Sequence, residues 1–124
     1  MALSLDEIKR IIDPVFKVSG VEGVVIATSD GLPLMSSLED REREEKVAAL
    51  TAVLSEVGNR TSMELGKGVA EWITIHTPDG AGILLLKVGE LGYMAVLFGK
   101  ETKLGVLLYT LRTIRENFIK KFGG

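Results

Sequence analysis

The chain has 124 residues, 46% of them hydrophobic and 26% charged, with a formal net charge of −2. That balance suits one globular domain with one core and argues against a disordered segment. Without cysteine there is no disulfide framework or thiolate metal site, and without a basic block or interleaved aromatics nucleic acid is not an expected partner.

Met1 to Asp6 lacks the basic segment and apolar stretch of a signal peptide, so no leader is expected and the expected compartment is the cytoplasm. No apolar run approaches the ~20 residues of a membrane span. Ser4-Leu5-Asp6-Glu7 reads as a capping box that opens a first helix. Leu5, Ile8, Ile12, Val15 and Phe16 fall on one face of that helix. Pro14 lies inside the pattern and, lacking a backbone donor, should kink the helix near Arg10 or end its regular part early.

Val21–Thr28 is a short apolar run rich in β-branched residues. Asp30-Gly31 and then Leu32–Ser36 follow, the signature of a hairpin whose turn needs a positive φ. Pro33 cannot donate to a ladder, so its strand belongs at a sheet edge.

From about Arg41 to Leu65 the chain keeps helical periodicity, with two apolar faces of different character. Val47, Leu50, Leu54, Val57 and Leu65 are large and recur at three- and four-residue steps, which reads as the face turned to the core. Ala48, Ala52, Ser55, Asn59 and Ser62 form a second stripe of small or weakly polar residues. Such a stripe lets another backbone approach closely, and it is read here as the seam for a second copy of the chain. A solvated face rich in Ala and Ser is the competing reading.

Gly66 and Gly68 should end this helix. Three strands then follow at Val69–Thr77, Ala81–Val88 and Tyr93–Gly99, separated by turns at Pro78-Asp79-Gly80 and Gly89-Glu90-Leu91-Gly92. Thr102 is expected to cap a last helix carrying Leu104, Leu107, Leu108, Leu111, Ile114 and Phe118. Val24-Val25-Ile26, Ile83-Leu84-Leu85-Leu86 and Val96-Leu97-Phe98 are apolar at consecutive positions, as in strands covered on both faces. The expected fold is therefore α/β of the α+β type, in three α-β-α layers. A five-stranded antiparallel sheet, built in the order helix-strand-strand-helix-strand-strand-strand-helix, carries the long helix on one face and the two terminal helices on the other.

With these elements in place, the chain resembles the Roadblock / dynein-light-chain family, and within it the MglB-like regulators of Ras-like GTPases. The carriers are Val21-Glu22-Gly23-Val24-Val25-Ile26, Asp30-Gly31-Leu32-Pro33, the long Ala/Leu/Val helix, the meander and the last helix with Leu104-Gly105. The resemblance spans essentially residues 1–124 and implies a single domain. It implies a sheet with the second and third strands at its edges, and a homodimer in which long helices pack antiparallel and third strands pair. The dimer interface it implies here is Ala48, Ala52, Ser55 and Asn59 on the helix with Glu71, Trp72 and Ile73 on the strand. It also implies that the dimer serves as a platform for a small GTPase.

No chemistry stands out. A phosphate-binding G-x-x-x-x-G-K-[ST] is absent, since Gly66-Lys67 and Gly99-Lys100 lack the upstream glycine. His76 has no nucleophile to serve, and neighbouring Asp79 belongs to a turn. Glu39, Asp40, Glu42, Glu44 and Glu45 alternate with Arg41, Arg43 and Lys46, as on a solvated, ion-paired helix surface. Trp72, Met63 and Tyr109 each fit either core or interface, and Arg112 and Arg115 either solvent or an acidic partner. The expectation is no catalytic residue, no metal and no cofactor. It is instead a non-enzymatic interaction module that activates or scaffolds a Ras-like GTPase docked through Glu56, Arg60 and Met63. A small-ligand sensory domain of PAS type is the alternative. It usually breaks this connection into short helices, so one uninterrupted helix of roughly 36 Å fits it poorly, and it would need a ligand-sized cavity.

Overall fold

The computed structural model describes residues 4–124, so the part of the leader expectation that rests on Met1–Leu3 lies outside the described residues. Helix α1 spans Leu5–Ile12, and the Ser4 hydroxyl accepts from the Glu7 amide at 3.3 Å. The box is only half made, because the Glu7 carboxylate turns to Lys121 at 3.1 Å. Pro14 has no N–H to continue the ladder, and the chain tightens into a 3₁₀ turn over Asp13–Lys17.

Five strands follow: β1 Val21–Ala27, β2 Pro33–Ser36, β3 Trp72–His76, β4 Gly82–Lys87 and β5 Tyr93–Phe98. The long helix α2 (Arg41–Glu64) separates β2 from β3, and α3 (Leu104–Phe122) closes the chain. All pairings are antiparallel in the order β2-β1-β5-β4-β3, so the second and third strands hold the edges. The β1–β2 hairpin turns at Gly31, whose φ is +85°. A Cβ at Gly31 would also stand 3.2 Å from the Ala49 Cα of α2, so glycine serves both the turn and the close helix.

The third strand is shorter than its apolar run. Val69–Glu71 lie outside the ladder, and the Ala70 amide bonds the Asn59 side-chain oxygen at 2.8 Å instead. The last helix is not capped by Thr102. Lys103 occupies the N-cap without a side-chain bond, and the Thr102 hydroxyl is buried without a partner beside Gly20 and Glu101.

The main core lies between the sheet and the terminal helices. Ile8, Ile12, Leu107, Leu111, Ile114 and Phe118 pack on Val24, Ile26, Leu84, Met94, Val96 and Phe98. The opposite sheet face carries α2, where Val25, Ala27 and Ala48 form a second, thinner core.

The two faces of α2 are the reverse of the sequence expectation. Ala48, Thr51, Ala52 and Ser55 are the buried residues, and they lie against the chain's own sheet. Leu50, Leu54, Val57 and Leu65 point outward. The physical inference from small residues was sound, since they do admit a second backbone. That backbone is the chain's own sheet. A helix laid flat on a sheet whose inner face carries Val25, Ile73 and Leu85 has room for only a methyl or a hydroxymethyl beneath it. Ala48, Ala52 and Ser55 therefore cannot form an exposed dimer seam.

Candidate interaction surface

The outward face of α2 is apolar over about two turns. Leu50, Val53 and Val57 are 57–59% exposed, Leu54 is 41% exposed, and Leu65 extends the face at the helix end. A helix that is apolar both inside and out is one built to be covered on both sides. Large apolar side chains contiguous on one helix face mark an interaction site rather than ordinary surface. Its N-terminal turn is polar, with Asp40 capping through bonds to the Glu42 and Arg43 amides, and ion pairs Arg41–Glu45 and Lys46–Glu42 running along the exposed side. These pairs bear out the reading of the acidic cluster as solvated surface.

Glu56, Arg60 and Met63 are all exposed and follow one another at steps of four and three, on the flank of the apolar face. They sit about a quarter turn from the buried stripe, given 3.6 residues per turn. Asn59 is not free for a partner, since its oxygen is held by the Ala70 amide. It pins the segment after α2 to the helix.

The β3 segment splits its side chains between the two layers. Ile73 reaches over Gly58 of α2. Trp72 packs against the main core, with the Arg112 guanidinium 4.9 Å from its ring centre. Glu71 is ion-paired with Arg112 at 3.4 Å and Arg115 at 2.9 Å. These two arginines are therefore tied to the chain's own edge rather than held out for an acidic partner. Sequence reasoning had no means of pairing residues 44 positions apart. What remains free at β3 is its outer backbone edge, since the strand pairs only with β4. His76 stands edge-on to Phe98, with ring centres 6.0 Å apart, and is structural in its surroundings.

Among the described residues no group of three or more His, Asp or Glu is placed to hold a metal ion, and no helix is long and apolar enough to cross a membrane. A pocket of about 170 Å³ lies between α2 and the sheet at the β3 side. It is well short of the roughly 300–1,000 Å³ of drug-sized ligand sites, and the larger hollows of about 460 and 310 Å³ lie open at the surface, which weakens the sensory-domain alternative.

Residues 7–98 match the sequence model of the Roadblock/LC7 domain. Two uncharacterized proteins of Methanocaldococcus jannaschii, MJ1340 and MJ0310, are 28% and 29% identical over 115 residues, covering 93% of this chain and 99% of each relative. Among solved structures, MglB of Myxococcus xanthus superimposes with a TM-score of 0.84 at 16% identity, over 97% of this chain and 98% of that one. A Roadblock/LC7 domain from Streptomyces avermitilis gives 0.81 at 20% identity, over the same shares. The gliding protein MglB of Thermus thermophilus gives 0.79 at 13% identity, over 97% and 93%. The three-layer fold is thus shared along nearly the whole chain.

Proposed function

Because the chain belongs to the Roadblock/LC7 family, we propose that it is a non-enzymatic homodimeric interaction module that binds and regulates a Ras-like small GTPase. The observation that carries the reading is the uncovered apolar face of α2 beside the open edge of β3. Two such faces packed about a two-fold axis bury Leu50, Val53, Leu54 and Val57 from both copies, while β3 pairs with β3 and satisfies its open amides and carbonyls. The dimer seam is therefore assigned to these large residues in place of Ala48, Ala52 and Ser55.

Glu56, Arg60 and Met63 border that seam. Two charges around a flexible thioether suit the rim of a second contact, made by a partner lying across the paired helices. The sequence resemblance to MglB-like regulators supports a GTPase as that partner. No catalytic group is needed for such a role, because a docked protein can accelerate hydrolysis by ordering the GTPase's own residues.

The test has two stages. Light scattering of the wild type at tens of micromolar should give twice the chain mass, an order-of-magnitude concentration for a specific micromolar dimer. Leu54→Asp should give a folded monomer. Calorimetric titration with a cognate GTPase bearing a non-hydrolysable GTP analogue should then show binding to wild type and at least about tenfold weaker binding to Arg60→Glu. A wild-type monomer would overturn the dimer, and equal affinity for wild type and Arg60→Glu would move the docking surface off this flank.

A further inference from the structure

The pocket between α2 and β3 is polar in an unbalanced way. Ser55, Asn59, Glu71, Lys87 and Tyr93 contribute its polar wall, with Ile73 and Leu85 among its apolar ones. Ser55 is 94% buried, 6% of it being exposed, and its hydroxyl has no partner in the chain. A buried hydroxyl left unpaired loses its bonds to water without replacement, so natural structures rarely leave one without a purpose. Tyr93 and Lys87 stand opposite each other across β5 and β4, on the sheet face that α2 covers. Lys87 is in none of the ion pairs among the described residues.

Two side-chain acceptors at this wall are engaged within the chain. The Asn59 oxygen holds the Ala70 amide, and the Glu71 carboxylate is held by Arg112 and Arg115. The Asn59 amide nitrogen donates to Met63 Sδ at 3.9 Å, so what remains is two hydroxyls and an ammonium group, that is, donors around one positive charge. The volume sets the size of what they could hold. A cavity of about 150 Å³ accommodates benzene, and this one is about 170 Å³.

We propose that this pocket is a binding site for a small monocarboxylate with a short apolar body, up to about the size of benzoate. The carboxylate takes bonds from Ser55 Oγ and the Tyr93 hydroxyl and pairs with Lys87, while the body lies between Ile73 and Leu85. The site adjoins β3, the strand that the proposed dimer pairs, but lies on the sheet side of α2, and its test reads binding directly in whichever oligomeric state the chain adopts.

Sodium benzoate and the uncharged, near-isosteric benzyl alcohol are titrated into the ¹⁵N-labelled full chain. Benzoate should give saturable shifts at the amides of Ser55, Asn59, Ala70 and Lys87. Benzyl alcohol should bind about tenfold more weakly, the size expected for losing one charge-assisted contact. Lys87→Met, on an exposed side chain, should reduce benzoate to the level of benzyl alcohol. Ser55→Ala should weaken benzoate about fivefold without lowering the melting temperature, because the hydroxyl holds nothing in the free protein. Absence of saturable benzoate shifts, equal binding of the two compounds, or full benzoate affinity in Lys87→Met would each overturn the proposal.

Discussion

The two helical layers cover one sheet with opposite kinds of side chain. On the α1/α3 side, large residues such as Ile8, Leu111 and Phe118 interlock with Ile26, Met94 and Phe98, and nothing of that core is left exposed. On the α2 side, Ala48 meets Val25 and Ala27, and Ala52 and Ser55 are buried along the same stripe, all through side chains of one or two atoms. Small inner residues bring the α2 axis close to the sheet but bury little apolar area per residue. Most of the large residues of α2 are displaced to the opposite side, where they stay 41–59% exposed from Leu50 to Val57. The α1/α3 layer thus buries its large residues within one chain, leaving Leu5, Val106, Tyr109 and Ile119 exposed, whereas the α2 layer leaves Leu50, Val53, Leu54 and Val57 exposed together on one face.

The sharpest way to break this comparison is to put a charge under each layer's presumed inner face. Ala52→Glu places a carboxylate on the buried inner face of α2, against the sheet. It should cost at least about 3 kcal/mol and, in a domain of this size, unfold much of the population. Thermal unfolding followed by circular dichroism checks it. A variant that melts with wild type would show that α2 faces outward through its small residues after all.

Next in size is the α1/α3 layer. Phe118→Ala removes a fully buried ring from the main core and should cost about 3–5 kcal/mol. The loss should be the same at all protein concentrations, because no second chain is involved. A concentration-dependent loss would mean that α3 also serves an interface.

Leu54→Ala inverts that pattern. At 41% exposure in the single chain, the side chain has little to lose on truncation there, and dilute protein should be destabilised by less than about 1 kcal/mol. At high concentration, where the dimer adds its association energy to apparent stability, the same change should lower the melting temperature visibly. Equal losses at both concentrations would place Leu54 in the chain's own core.

Much of this architecture was legible from the residues. Consecutive apolar runs at Val24–Ile26, Ile83–Leu86 and Val96–Phe98 announced strands covered on both sides, and Asp30-Gly31 with Pro33 gave both a hairpin and an edge. The polarity of α2 was not legible, because size and not hydrophobicity decides which face lies down. Both its faces are apolar, so periodicity alone cannot rank them. Thr102 looked like a cap because capping is a local rule, but Gly20 folds against it and takes the space. The Glu71–Arg112–Arg115 cluster and the donors around Ser55 depend on contacts far apart in the chain, which no local pattern encodes.

The smallest expected effect lies in the turn that joins the α2-side edge strand to the rest of the sheet. Asp79 accepts from the Thr77 hydroxyl at 2.6 Å and from the Ala81 amide at 3.1 Å, while the Thr77 amide bonds the Ala81 carbonyl at 2.8 Å. The Thr77 hydroxyl and then the Ala81 amide hold the Asp79 carboxyl below its ordinary value of 3.8. A carboxylate whose folded value is depressed adds stability that is whole above the ordinary value and is lost as pH falls through the folded one. The difference in stability between wild type and Asp79→Ala should therefore stay constant from neutral pH down to about pH 4 and close at lower pH. Because the group is fully exposed, the difference should be the least of the four and sensitive to salt. Urea unfolding of both proteins from pH 7 to pH 2.5 measures it. A gap that widened toward acid would mean that the protonated carboxyl, rather than the carboxylate, is the form that closes the turn.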